Sequence, residues 1–305
     1  MCSKIDGHPL SIVWVNDYHL LLVPEMIRKR IPNANIGYFH HVPWCSSEVF
    51  RSLATCKELL RGILGADMIG FQTTSFVRHF LHSCSRILGV DTTAKGVVLT
   101  DTFVSVQAFP IGIQPHTLIA EHRRPEVHDM IDNLREKYAG KKIIVGRDKL
   151  DPVKGVKQKL QSYELFLQLH PEWIGEVVLI QVALPTHGET ESHLFEYVNR
   201  INGQYGTLDY SPVMYLHQDL PRDHYLALFS VADCCLITSL RDGMNCTSHE
   251  YILCQAETRT HNPLILSEFT GTCGFGFEQA IRVNPHDFQV GPSFFLLFSF
   301  SGSLW

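Results

Sequence analysis

The chain has 305 residues, 45% hydrophobic and 19% charged, with 26 Lys and Arg against 31 Asp and Glu. That length exceeds the usual size of one hydrophobic core and the composition is that of a globular protein, so two domains are expected. The net charge of −5, with no cluster of Lys and Arg, excludes nucleic acid as a bulk partner.

In chain order the pattern is strand, turn, helix, repeated. "SIVWVND" reads as a short apolar strand and "LLLVPEMIRKRIP" as a helix with basic residues in its last turn. "NIGYFHH" follows as a strand. "VFRSLATCKELLRGILGA" reads as one helix, with Glu48, Arg51, Glu58 and Arg61 as an exposed stripe. "DMIGFQT" is a strand, "SFVRHFLHSCSRILG" a helix ending in glycine, and "GVVLTDTFVSVQAFPIGI" is β-rich. The segment "RRPEVHDMIDNLREKYAGKK" reads as a charged connection, which places a domain boundary near residue 140. Residues 1–140 then form the first domain, 141–290 the second, and 291–305 a divergent apolar tail.

The second half alternates more cleanly. "KIIVGRD" is a strand, and "GVKQKLQSYELFLQLHPEW" an amphipathic helix with Val156, Leu160, Tyr163 and Leu167 on one face. "EVVLIQVALP", "VMYLHQDL", "CCLITSL" and "PLILSEF" read as strands; "ESHLFEYVNRINGQYG", "HYLALFSVAD" and "TSHEYILCQAE" read as helices. Continuous apolar strands between helices imply parallel strands covered on both faces. The fold class is therefore α/β, two doubly wound domains with ligand sites beyond the carboxyl ends of the strands.

Two turns fall at such ends, "VGRDKLDPVKG" at 145–155 and "SLRDGMNCTSHE" at 239–250. In the first, Lys149 and Lys154 set two cations beside a helix start, which suits a diphosphate. In the second, Gly243 permits close approach of backbone to ligand, and Asp242 and Glu250 are placed to accept from hydroxyls. A sugar nucleotide has both features. Either turn taken alone reads equally as solvated lysines and an ordinary glycine turn.

Nine cysteines, an odd number with no C-x-x-C pair, read as reduced thiols, and "MCSKIDGHPLSIVWV" lacks the basic-then-apolar pattern of a leader; both point to the cytoplasm. Asp17, His19, His40 and His41 come from two strand ends without an H-x-x-x-H helix, so no metal is expected. The apolar run in "PSFFLLFSFSGSLW" is too short to span a bilayer, which takes about twenty residues. It reads as an aberrant, aggregation-prone end, or alternatively as a membrane-surface or partner-binding tail.

"VWVNDYHLLLVPEMIRKRIPNANIGYFHHVPWCSSEVFR", "LLRGILGADMIGFQT", "FPIGI", "VGRDKLDPVKGV", "INGQYGTLDYSPVMYLHQDLP" and "LRDGMNCTSHEYILCQ" together resemble the trehalose-6-phosphate synthase family of glycosyltransferases, in order and over nearly all of residues 11–285. In detail the chain is most similar to the synthase-like domains of fungal trehalose-phosphate phosphatases and regulatory subunits, which favour "GRDKLD" over "GVDRLD". The resemblance implies a GT-B fold of two facing Rossmann-like domains, here with the first incomplete. It implies transfer of glucose from UDP-glucose to glucose 6-phosphate with retention, without metal or other cofactor, and other trehalose synthase or phosphatase subunits as partners. By motif position, Lys149 and Lys154 would meet the donor diphosphate and Asp242 the donor-glucose hydroxyls. The backbone of Gly243, Met244 and Asn245 would line the donor, Glu250 would hold the ribose, and Asp17 and His41 would lie against the reacting sugars.

The chain also departs from that pattern. The family opens upstream of the Asp17 strand, with a glycine-rich loop and aromatic residues for the acceptor. His187 stands where the family has an arginine on the acceptor phosphate, Lys149 where it has arginine, Asn16 where it has histidine and His249 where it has lysine. An imidazole is a poor substitute for a bidentate guanidinium. The functional expectation is a synthase-like transferase domain, weak or inactive in this chain; the alternatives are a non-catalytic regulatory or scaffold subunit and a fragment that does not fold stably.

Overall fold

A computed structural model describes residues 11–185 and 191–287; His187 and the 291–305 tail lie outside them. The chain divides into two compact units between Ile111 and Gly112.

The first unit runs β1 (Ile12–Asn16), α1 (Val23–Arg30), β2 (Asn35–His40), α2 (Ser47–Phe50), α3 (Cys56–Ile63), β3 (Met68–Phe71), α4 (Thr74–Ser83), β4 (Asp91–Thr93), β5 (Gly96–Val98) and β6 (Phe103–Ala108). The sheet order is β1-β2-β3-β6-β5-β4. Its first four strands are parallel, and β5 and β4 close it as an antiparallel hairpin. Side chains alternate across each strand, so Val15, Ile36, Tyr38, Ile69, Phe71, Val104 and Val106 share one face and are buried with the helices. The opposite face carries Ile12, Trp14, Met68 and Phe103 at 71%, 57%, 40% and 49% exposure. Among the described residues no cluster of buried side chains forms over it. The single helix expected over residues 49–66 is broken instead into α2 and α3. Ser52 donates its hydroxyl to the Val49 carbonyl at 2.7 Å, a local bond that competes with the helical ladder.

The second unit runs α5 (Pro115–His122), α6 (Pro125–Lys137), β7 (Lys142–Lys149), α7 (Val156–Leu169), β8 (Val177–Leu184), α8 (Glu191–Tyr205), β9 (Val213–Leu216), α9 (Arg222–Val231), β10 (Cys234–Ile237), α10 (Cys246–Thr258), β11 (Leu264–Ser267) and β12 (Ile281–Val283). The stretch read as a charged connection is therefore helix α6. Val127 and Ile131 are 1% and 3% exposed in the second unit's core, which moves the division well ahead of residue 140. Their i, i+4 spacing was present in the sequence but masked by the charges around it.

All six strands pair in parallel, in the order β12-β11-β10-β7-β8-β9. From β7 the chain winds outward through β8 and β9, then crosses back to β10 and winds the other way. The switch point lies between β7 and β10, and the two turns singled out in the sequence are the ones that follow these two strands. Beneath the first turn, Lys159 of α7 is fully buried with its Nζ 2.6 Å from Asp148 Oδ2, and Gln181 donates to the same oxygen at 3.1 Å. Gly146 makes room for this group: a Cβ there would sit 2.3 Å from Lys159 Nζ.

Removing one member of a buried pair leaves an uncompensated charge and costs about 3–5 kcal/mol. Lys159→Met should lower the urea midpoint accordingly, and adding Asp148→Leu should recover most of the loss. A single substitution that leaves the midpoint unmoved would show that the pair is not needed to hold α7 on the sheet.

Candidate functional site

The first turn is assembled from local rules. Leu150 is buried as an anchor, and Asp151 caps a single 3-10 turn over Pro152–Lys154 by accepting from Val153 N at 3.1 Å. Gly155 ends that turn at φ 71°, where a Cβ would meet the Thr238 carbonyl oxygen at 2.0 Å. Only glycine fits, on both counts. The second turn leaves β10 through Thr238, Ser239 and Asp242, all nearly buried, and enters α10 with Asn245 as N-cap, its Oδ1 accepting from Ser248 N at 3.0 Å.

The turns are stitched together by three bonds. Leu240 N donates to Val153 O at 2.8 Å, Thr238 Oγ1 donates to Gly155 O at 2.9 Å, and Lys154 Nζ meets Asp242 Oδ2 at 2.8 Å. Asn245 Nδ2 adds a 3.2 Å bond to the same Asp242 oxygen, so the amide of the Asn245-Cys246-Thr247 sequon is engaged in the site. Thr272 supports the second turn by accepting from Asn245 N at 3.0 Å. Gly243 is buried and Met244 half-buried beside them, and Lys149 is exposed with no side-chain partner among the described residues. Lys154, paired with Asp242, stands beside the start of α10, and a cation at a helix N-terminus is an arrangement that attracts phosphate.

Glu250 lies one turn further along α10. Arg222 donates to its Oε1 at 3.0 Å, and the Tyr225 hydroxyl donates to Oε2. Burial, with the Glu250 charge beside it, holds the Tyr225 hydroxyl far above its usual range, so it remains a donor. Each carboxylate oxygen keeps a lone pair for a ligand hydroxyl. Arg222 also pairs with Glu121 at 3.0 Å. Sequence reasoning placed Glu250 but missed Arg222, Tyr225 and Thr238, because nothing in a helix or strand pattern says which polar residue faces which.

The first unit brings Asp17 and His41 together at the ends of β1 and β2. Asp17 holds φ 68°, ψ 172°, a conformation that costs a non-glycine residue of order 1–3 kcal/mol. Its backbone N–H donates to Phe39 O at 2.8 Å and its Oδ1 accepts from His41 N at 3.1 Å. His41 Nε2 lies 3.3 Å from Asn16 Oδ1, and its Nδ1 lies 3.5 Å from Gln72 Nε2. A cavity of about 480 Å³ opens here, with Trp14, Phe39, Met68 and Phe109 as apolar walls and Asn16 and His41 as polar groups. His40 points the other way, its Nδ1 2.8 Å from the Tyr38 hydroxyl and its ring against Trp44 and Phe71. Among the described residues no three His, Cys, Asp or Glu side chains gather as metal ligands, and no helix is long and apolar enough to cross a membrane.

Residues 2–291 match the family model of glycosyltransferase family 20. The chain belongs to this family. It is 47% identical over 286 residues to the 56 kDa subunit of UDP-forming alpha,alpha-trehalose-phosphate synthase of Kluyveromyces lactis, covering 90% of this chain and 58% of that protein. Among solved structures it is similar to the N-terminal domain of Candida albicans trehalose-6-phosphate phosphatase, at a TM-score of 0.90 and 44% identity, over 98% of this chain and 64% of that one. An E. coli trehalose-6-phosphate protein bound with UDP-2-fluoro glucose matches at a TM-score of 0.87 and 30% identity, over 94% of this chain and 65% of that one. The family 20 fold is GT-B, and the chain is a synthase-like domain that spans a little over half the length of the Kluyveromyces relative.

Two outcomes follow from this geometry. Gly155→Ala should destabilise the second unit by more than the roughly 1 kcal/mol of an ordinary glycine exchange, read as a drop in the urea midpoint, since both φ and the Thr238 carbonyl oppose a Cβ. An unchanged midpoint would mean that the two turns are not held in register. In the first unit, burial lowers the His40 pKa from 6.5 to about 4, with Asp17 opposing and His41 adding to the shift. Between these values the unfolded chain binds the extra proton, so this contribution is complete above about pH 6.5 and is lost as pH falls toward 4. Thermal melts should show stability falling by up to about 1.4 kcal/mol per pH unit in that window. His40→Gln, which still offers Tyr38 an acceptor, should flatten the slope.

Proposed function

We propose that the second unit binds UDP-glucose. Lys149 and Lys154 take the diphosphate, Asp242 the glucose hydroxyls and Glu250 the ribose hydroxyls, with the backbone of Gly243, Met244 and Asn245 lining the donor. The observation that carries this is the convergence of the two switch-point turns on the Lys154–Asp242 pair, with the α10 N-terminus beside it. The chemistry these residues suit is glucosyl transfer with retention to glucose 6-phosphate. Fixed cations stabilise the departing UDP diphosphate, and no protein nucleophile is needed. In the first unit, Asp17 and His41, which meet at the ends of β1 and β2, are the residues we assign to sugar binding.

Transfer is weak or absent in this chain, and its role is that of a synthase-like domain working with other trehalose synthase or phosphatase subunits in the cytoplasm. Supporting this are His187 and Lys149 in place of two arginines, and the likeness to a phosphatase's N-terminal domain.

Titration calorimetry with UDP should detect binding to the whole chain. Lys154→Ala should weaken it by about 1.5–3 kcal/mol, the scale of a charged hydrogen bond. Equal affinity in variant and parent would remove Lys154 from the site. Incubation with UDP-glucose and glucose 6-phosphate should yield no appreciable trehalose 6-phosphate, and robust product would overturn the assignment of weak transfer.

A further inference from the structure

A row of polar groups crosses the carboxyl ends of the first unit's parallel strands, and the sugar assignment uses only His41 of it. Phe71, the last residue of β3, pairs with His40 of β2 on one side and with Ala108 of β6 on the other. Gln72 therefore stands between His41 and the segment that leaves β6. It is 1% exposed, its Oε1 accepts from Ile111 N at 3.0 Å, and its Nε2 lies 3.5 Å from His41 Nδ1. On the other side of the ring, His41 Nε2 lies 3.3 Å from Asn16 Oδ1, which also accepts from Trp14 Nε1 at 3.1 Å.

The two ends of this row cannot be reversed. A backbone N–H and an indole N–H only donate, so Ile111 fixes Gln72 Oε1 and Trp14 fixes Asn16 Oδ1. The Gln72 amide then turns its N–H toward His41 Nδ1, which must accept, and Asn16 turns a carbonyl oxygen toward Nε2, which must donate. Each end by itself demands the same tautomer. The neighbouring carboxylate leaves it undisturbed, since Asp17 Oδ1 accepts from the His41 backbone N–H. Gln72 is the stronger constraint, being buried and held by the backbone, whereas Trp14 at the other end is 57% exposed.

We propose that Gln72 is a positioning residue that keeps the His41 proton on Nε2. Beside the cavity the imidazole then offers a ligand oxygen an N–H donor, with no lone pair at Nε2 to take a proton from a hydroxyl. A sugar oxygen replaces Asn16 as the acceptor, and His41 binds the sugar as a hydrogen-bond donor and not as a base. This rests on the assignment of His41 to sugar binding.

The test is NMR of the isotope-labelled imidazole nitrogens of the whole chain at about pH 8, above the ordinary imidazole range, with the His41 signals assigned by their loss in His41→Gln and melting temperatures to verify folding. The parent should show a protonated Nε2 and a bare Nδ1. Gln72→Glu has the same shape, keeps the acceptor for Ile111 N and reverses only the group that faces the ring, so it should place a proton on Nδ1. Asn16→Leu removes the other partner at an exposed position and should leave the proton on Nε2. A parent with its proton on Nδ1, a folded Gln72→Glu with Nδ1 still bare, or a proton that leaves Nε2 in Asn16→Leu overturns the role of Gln72. UDP-glucose, but not UDP, should shift the parent's Nε2 signal. No shift, or the same shift with both, overturns the assignment of His41 to the sugar, while the tautomer in the free chain still decides the role of Gln72.

Discussion

A lysine with no exposed surface, 2.6 Å from a carboxylate that is itself 2% exposed, is the constraint around which the second unit is arranged. Two buried charges persist only when each supplies the other's counter-ion. Asp148 therefore fixes where α7 crosses β7, Gln181 ties the pair to β8, and position 146 must be glycine for the ammonium to fit. Because side chains alternate along a strand, turning Asp148 inward turns Arg147 and Lys149 to the opposite face, toward α9 and α10. The orientation of Arg147 and Lys149 is thus set by the buried pair between them and α7.

The two units treat polarity differently. In the second, polar groups converge at the switch point and are bonded to one another before any ligand arrives: Lys154 to Asp242, Arg222 and Tyr225 to Glu250. The side chains there are already paired with one another. In the first, Asp17 and His41 sit beside an apolar cavity on the sheet face where Trp14 lies across Gly37, whose Cβ would meet the indole at 2.7 Å.

Much of this was legible in the sequence. The alternation of apolar runs and amphipathic stretches located the parallel strands of the second unit, since such strands carry few polar residues. The glycines and charges after β7 and β10 marked the turns, since closely approaching backbones exclude a Cβ. Helix α6 was hidden because its packing residues, Val127, Met130, Ile131 and Leu134, are interspersed with a larger number of charged ones. The break after Ser52 was hidden because the backbone there tightens into i to i−3 bonds, Ser52 N to Val49 O and Leu53 N to Phe50 O, which an apolar period does not reveal. Arg147 and Tyr225, whose guanidinium carbon and ring centroid lie 4.6 Å apart, were invisible as partners, being 78 positions apart in sequence and joined only by the β7–α9 packing. Periodicity reports which face is buried, not which polar atoms meet across it.

Gly155 carries this dependence back to the gene. Any single-base change of a glycine codon that replaces the residue introduces a Cβ, and here a Cβ would lie 2.0 Å from the Thr238 carbonyl oxygen. No one-step missense neighbour of this sequence keeps the turn as built. Position 155 can change only if its own φ and the backbone at 238 both shift, so the two turns constrain each other.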